Sequence, residues 1–294
     1  MSKPICYVGI SMHPGAYAEL EKDYEITLDE SRLRDASAAI VYGVPEEWMY
    51  SENTHKLKAI GCHSCNDLAG QWASERKILL TLAKSLWRTV AEHTLALMMT
   101  AARNIVPADR AIREGHWNSH HDLKVKYSGS DFQNKTIGIW GMGQIGAELA
   151  GLLSGFGMRI LYNDLNPMTS EQEKKLGISF STLEDMLPQS DYFCVLIPLN
   201  EKTKGAFGEL QFKMLKKGCV FVNTARAGII DEISFMEALK EGIIAAAAMD
   251  VFWNEAAAQD TELTSRENVV LTPHLGGSTF ECDMALVKGV IQGI

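Results

Sequence analysis

Three short stretches carry an arginine, a glutamate and a histidine just past apolar runs. They are Val222-Asn223-Thr224-Ala225-Arg226-Ala227-Gly228, Met249-Asp250-Val251-Phe252-Trp253-Asn254-Glu255 and Leu271-Thr272-Pro273-His274-Leu275-Gly276-Gly277-Ser278-Thr279. An arginine offers a planar fork that holds a carboxylate through two bonds and polarises a neighbouring carbonyl. A histidine exchanges a proton at physiological pH, and a glutamate on its far ring nitrogen fixes its orientation. Arg226, Glu255 and His274 together are therefore what reversible reduction of a 2-oxo acid requires. Singly, each has a plainer reading. Arg226 could pair with a surface acid, Glu255 could be a solvated loop residue, and His274 could cap a strand. The plainer readings give way if the three runs are strands of one parallel sheet, because their carboxyl ends then face a common crevice.

A second stretch explains what would sit in that crevice. Thr136–Trp140 reads as a short buried strand, followed by Gly141, Gly143 and Gly146 in a G-x-G-x-x-G pattern. Ile145–Phe156 then has helical periodicity, and a second strand, Arg159–Tyr162, leads to Asp164. Gly141 permits a tight turn, Gly143 lets backbone approach a pyrophosphate, and Gly146 lets helix and strand pack closely. Gln144 and Ile145 stand at the helix start, whose free N–H groups attract an anion. Asp164, 18 residues past Gly146, can accept bonds from ribose hydroxyls, and Leu165–Gln172 holds no Lys or Arg to neutralise a 2′-phosphate. The reading is NAD rather than NADP, against the alternative of a glycine-rich turn with no ligand.

These sites need a scaffold of alternating strands and helices, and the chain supplies one. Its 294 residues suffice for two domains, and 46% hydrophobic with 22% charged residues is ordinary globular composition. A net charge of −9 argues against nucleic acid or anionic membrane as the main partner. No apolar run reaches the length of a membrane span, and the first residues lack a signal-peptide pattern. Six scattered cysteines, two of them in strand-like runs, suit a reduced, cytoplasmic protein.

Apolar runs at Ile5–Ile10, Tyr24–Leu28, Ala38–Tyr42, Leu57–Ile60 and Ile78–Leu82 predict a first parallel sheet. A capping box at Thr89–Glu92 predicts one long helix running to Arg113, and the polar segment Glu114–Asn134 a loop. Further strands are predicted at Tyr192–Ile197, Cys219–Asn223, Ala245–Met249 and Val269–Leu271. Helices fit Thr182–Leu187, Glu209–Leu215 and Glu232–Glu241 between them, and Ser278–Ile294 reads as a last helix returning to the first domain. The expectation is an α/β protein with two doubly wound parallel-sheet domains. Residues 1–88, completed by 278–294, would form a smaller flavodoxin-like substrate domain, and 89–277 a Rossmann-type NAD domain.

Taken together, the motifs Val90–Leu97, Trp140–Ala150, Ile197–Thr203, Val222–Glu232, Ala248–Glu255 and Leu271–Thr279 resemble those of the D-isomer-specific 2-hydroxy acid dehydrogenases. That family includes 3-phosphoglycerate, D-lactate and glycerate/hydroxypyruvate enzymes. The resemblance implies that Arg226, Glu255 and His274 are catalytic and that Asp250 lies near the nicotinamide carboxamide. It also implies that Pro198 lines the cofactor cleft, with Thr203, Thr224, Ala225, His274 and Gly276 among the cofactor-binding residues. A small 2-oxo or 2-hydroxy acid would be the substrate, and the long helix would join two copies into a homodimer.

Two features depart from the family. Its glycine-rich substrate loop is represented by Gly61-Cys62-His63-Ser64-Cys65-Asn66-Asp67, and its turn before the long helix by Ala83–Arg88. His63, Ser64 and Cys65 are therefore expected, with Arg226, to contact substrate. Cys62 and Cys65 have C-x-x-C spacing, but a structural zinc needs four ligands and no second pair lies nearby, so no metal is expected. An NAD(H)-sensing, corepressor-like binding protein on the same fold is the rival reading.

Overall fold

Along Thr136–Trp140, Ile137 and Ile139 point into one buried cluster while Gly138 turns the other way, against Ser190 and Phe193. A strand covered on both faces must be apolar on both, and that is why these runs show no polar alternation. The computed structural model describes residues 3–83, 86–255 and 261–293. Two compact units emerge: Met1–Thr89 with Gly277–Ile294, and Val90–Gly276.

In the first unit, β1 (Ile5–Val8), β2 (Glu25–Thr27), β3 (Ala36–Gly43), β4 (Ala59–Ser64) and β5 (Leu79–Leu82) form a sheet of order β2-β1-β3-β4-β5. Every pairing is parallel, in the flavodoxin-like order. The helix Phe280–Ile291 packs on this sheet, capped at its start by the Thr279 side chain. One apolar cluster, with Cys6, Ile40 and Leu286, lies on one face, and another, with Trp48, Ile60 and Trp72, on the other.

In the second unit the strands are β6 (Thr136–Trp140), β7 (Arg159–Asn163), β8 (Ile178–Phe180), β9 (Tyr192–Val195), β10 (Cys219–Asn223), β11 (Ile244–Met249) and β12 (Val269–Leu271). Their order, β12-β11-β10-β9-β6-β7-β8, is parallel throughout. The chain winds outward one way from β6 and the other way from β9, which makes the β6–β9 boundary the topological switch point. Five phenylalanines (Phe193, Phe207, Phe212, Phe221 and Phe235) pack on one face of the sheet. Each contributes roughly 1.5–3 kcal/mol by leaving water.

Two expectations are corrected here. The helix predicted over Thr89–Arg113 is two helices, Leu86–Ala102 and Ile105–Arg113, separated by Asn104 at φ 49°. Pro107 is the physical reason, since a continuous helix would press its ring against the Arg103 carbonyl and leave that carbonyl no N–H. Thr89 is inside the first helix rather than at its cap. The segment predicted as a loop contains a 3-10 turn, His116–Ser119, and a helix, His120–Lys126. Short edge strand β8 and the helix Ser170–Leu176 before it were not predicted.

Candidate active site

The glycine loop leaves β6 at Gly141, whose φ of 111° is open only to glycine and whose N–H donates to the Asn163 carbonyl at 2.9 Å. A Cβ there would lie 2.7 Å from the Leu196 backbone, so the loops after β6 and β9 pass in close contact. Gly146 is pinned as well, because a side chain would run into the Gly141 carbonyl oxygen. Gly143 differs. Its φ is −72° and nothing lies within 4 Å of where its Cβ would be. Neither conformation nor internal packing demands glycine at 143, and the open space lies against the N-terminus of the Gln144–Leu153 helix. The first-turn N–H groups of that helix, Gln144 and Ile145 among them, have no intrahelical acceptors and favour an anion. The residues present thus fit a pyrophosphate.

Asp164 follows β7. One carboxylate oxygen accepts the Met142 N–H at 2.7 Å and the other the Asn166 N–H at 2.9 Å. The acid is thereby locked to the glycine loop, with its remaining lone pairs unclaimed by these bonds. After β9, Thr203 donates its hydroxyl to the Pro198 carbonyl at 2.7 Å and accepts the Asn200 N–H at 2.8 Å, closing that loop on itself.

Arg226, Glu255 and His274 follow β10, β11 and β12, three consecutive neighbours in the sheet. The Arg226 loop is shaped by Asn223, which is fully buried: its side chain accepts the Ala225 N–H at 3.0 Å and donates to the Arg226 carbonyl at 3.1 Å. The Arg226 guanidinium also donates to the Ala225 carbonyl at 2.6 Å. Thr224 is buried beneath this loop.

His274 has φ 55°, a left-handed conformation unusual for a residue with a side chain. Its Nδ1 lies 3.2 and 3.3 Å from the two Glu255 oxygens. The turn is held by Asp250, which is 1% exposed and accepts the N–H groups of Leu275 at 2.7 Å and Gly276 at 2.8 Å. Thr272 donates to the same carboxylate at 2.6 Å, and His93 approaches it at 3.2 Å. Burial would raise the Asp250 pKa, but bonds from His93, Thr272, Leu275 and Gly276 prevail and hold it below the ordinary value.

His63, Ser64 and Cys65 belong to the first unit. His63 and Ser64 end β4, and Cys65 follows directly. The buried Nε2 of His63 has no hydrogen-bond partner, and burial lowers the pKa of the ring against the opposing pull of Asp283. Burial also pushes the Cys62 thiol up to about 12, which disfavours the thiolate a metal would need. Among the described residues no helix is long and apolar enough to cross a membrane.

The model of the D-isomer specific 2-hydroxyacid dehydrogenase NAD-binding domain matches residues 95–276, which include the glycine loop, Asp250 and all three strand-end loops. The chain belongs to that family. It is an NAD-dependent oxidoreductase of 2-hydroxy acids, and NAD is its cofactor. Over 308 aligned residues it is 33% identical to a glyoxylate reductase of Korarchaeum cryptofilum, with 99% of this chain and 92% of that one covered. A glyoxylate reductase of Aeropyrum pernix is 40% identical over 213 residues, 71% of this chain and 63% of that one. Among solved structures, D-lactate dehydrogenase of Escherichia coli superposes with a TM-score of 0.78 at 25% identity, covering 98% and 95% of the two chains.

Four residues escaped the sequence reading: Asn223, Thr272, His93 and Thr94. In the sequence His93 and Thr94 are two of several polar residues of the Leu86–Ala102 helix, with no local signal that marks them out.

Proposed function

We propose that the protein interconverts a D-2-hydroxy acid and its 2-oxo acid with NAD(H), and that glyoxylate is the first substrate to test. The observation that carries this reading is the His274–Glu255 pair, at 3.2 Å, beside the Arg226 loop on the carboxyl edge of one sheet. The similarity to the glyoxylate reductases of Korarchaeum cryptofilum and Aeropyrum pernix supports the choice of substrate.

When bound, NADH supplies the hydride that the substrate carbon accepts. Gly143 and the helix start at Gln144 and Ile145 would hold the pyrophosphate, Asp164 the ribose, and Pro198, Thr203, Thr224, Ala225, Asp250 and Gly276 the remainder of the cleft. Arg226 binds the substrate carboxylate and polarises the carbonyl. His274 gives its proton from Nε2 to the carbonyl oxygen, completing the 2-hydroxy acid, while Glu255 holds Nδ1 and stabilises the ring when charged. The reverse reaction returns the proton to Nε2. On this reading Val90–Gly276 is the NAD domain.

Glyoxylate, pyruvate, hydroxypyruvate and 3-phosphohydroxypyruvate, each assayed with NADH, provide the test. Turnover of at least one is expected. A protein that binds NADH yet reduces none would be an NAD(H)-sensing binding protein instead.

Assembly as a homodimer is part of the proposal. Ile105, Val106, Ile112, Trp117 and Val125 are exposed apolar side chains on Ile105–Lys126, a concentration that a second copy would cover. Sedimentation at micromolar concentration should show a dimer, and a monomer would exclude it. Six free cysteines suit the reducing cytoplasm.

A further inference from the structure

Adjacent residues of one helix reach the three loops that carry Arg226, Glu255 and His274. Within Leu86–Ala102, His93 reaches Asp250 and Thr272, and Thr94 reaches Thr224. The first pair of bonds joins the helix to the loops after β11 and β12, the second to the loop after β10.

Proton counting fixes the direction of each bond. The Thr94 hydroxyl donates its one proton to the Val90 carbonyl at 2.7 Å, so in the 2.7 Å bond to Thr224 it must accept. Thr224 therefore donates, and both side chains are buried, at 0% and 7% exposure. On the other side, Thr272 spends its proton on Asp250. An ionised Asp250 can only accept. His93 Nε2 must then carry hydrogen, shared between the Asp250 carboxylate and the Thr272 hydroxyl, each 3.2 Å away.

Each bond reaches a functional side chain through one further step. Thr224 is two residues before Arg226, in the loop that Asn223 brackets. Asp250 holds the two N–H groups that follow His274 and so maintains its left-handed backbone. A conformation of that kind persists only where the surroundings enforce it.

We propose that His93 and Thr94 are positioning residues with separate tasks: Thr94 sets the Arg226 loop, and His93 sets His274. The inference rests on the reading of Arg226 as substrate clamp and His274 as proton donor. It predicts opposite kinetic splits from neighbouring residues. Thr94→Val removes the acceptor for Thr224 at nearly constant volume. It should raise the substrate KM about 10-fold while kcat stays within about 2-fold. His93→Ala removes the donor to Asp250, and should lower kcat about 10–100-fold while KM stays within about 3-fold. Thr94→Ser and His93→Gln restore a hydroxyl and an N–H donor, and each should recover most of its loss.

The experiment measures glyoxylate reduction by full-length native and variant proteins, with NADH affinity followed by fluorescence and folding by thermal melting. Opposite splits with rescue, larger than any accompanying change in NADH affinity, establish the proposal. Parallel loss in both variants, in proportion to lowered melting temperature, would show that the pair only stabilises the helix and would overturn it. Should a variant fail to fold, its conservative partner decides: native kinetics restored by Thr94→Ser and His93→Gln support the proposal, and a deficit shared by both refutes it. If the native protein reduces none of the four 2-oxo acids, the reading of the site falls and this inference with it. If the native protein turns over and the splits are absent, only the inference falls.

Discussion

The Nδ1 of His274 lies 3.2 Å from one carboxylate oxygen of Glu255, although the two residues lie in the loops after different strands and the His274 backbone is left-handed at φ 55°. The pairing engages Nδ1, so the proposed proton transfer runs through Nε2. Alanine at 274 removes the proposed proton donor and should slow glyoxylate reduction by roughly 10²–10⁴-fold, with NADH affinity nearly intact. Glu255→Gln keeps a hydrogen-bonding group but loses the charge, so a smaller loss in kcat is expected. Near-native kcat for His274→Ala in steady-state assays would remove His274 from the mechanism.

Asp250 links activity to stability. Its carboxyl is held below the unfolded value of about 3.9, so ionised Asp250 stabilises the fold in full above that pH. That contribution is lost as pH falls through the depressed folded-state value. Asp250→Asn sets an NH₂ group against backbone donors and should cost about 2 kcal/mol at pH 7, lowering the melting temperature by roughly 4–8 °C. The variant has no carboxyl to protonate, so its gap from the native protein should narrow between pH 7 and pH 3. A gap constant over that range in a melting series would show that the carboxylate charge is not what holds the His274 turn.

What the sequence revealed and what it hid divide along chain distance. Strands β6, β10 and β12 were predicted with their observed limits, because an apolar run between turn residues is a local signal. The glycine loop was local too. Pro107 was equally visible, yet the apolar period on either side of it outweighed the breaker and two helices were read as one. Strand β8 has three residues and only Ile178 is buried, too little for a pattern. The proposed catalytic residues Arg226, Glu255 and His274 were legible because each lies shortly after an apolar strand. Their supports were not. Thr94 meets Thr224 across 130 positions and His93 meets Asp250 across 157, pairings that only the fold creates.

Cofactor choice follows from Asp164. Its charge should repel a 2′-phosphate, so NADH should outperform NADPH by about an order of magnitude or more in kcat/KM. Because the same carboxylate holds the Met142 N–H at 2.7 Å, Asp164→Ala should do two things at once. It should shrink the preference and, by loosening the glycine loop, weaken NADH binding as well. Equal use of both cofactors by the native protein would contradict the assignment.

Two glycines of one loop should respond in opposite ways to alanine. Gly146 has the Gly141 carbonyl where a Cβ would go, so Gly146→Ala must push the helix from the strand. A loss of about 1–3 kcal/mol is expected, visible as a lower melting temperature even without cofactor. Gly143 has φ −72° and open space within 4 Å, so alanine fits the fold and, by restricting the unfolded chain, leaves stability equal or raised by up to about 1 kcal/mol. Its methyl group nevertheless enters the space where a pyrophosphate would meet the helix N-terminus. Gly143→Ala should therefore keep its melting temperature while NADH affinity, read by fluorescence titration, falls about 10-fold or more, a loss of about 1.4 kcal/mol. Native affinity in that variant would mean that the pyrophosphate does not lie against Gly143.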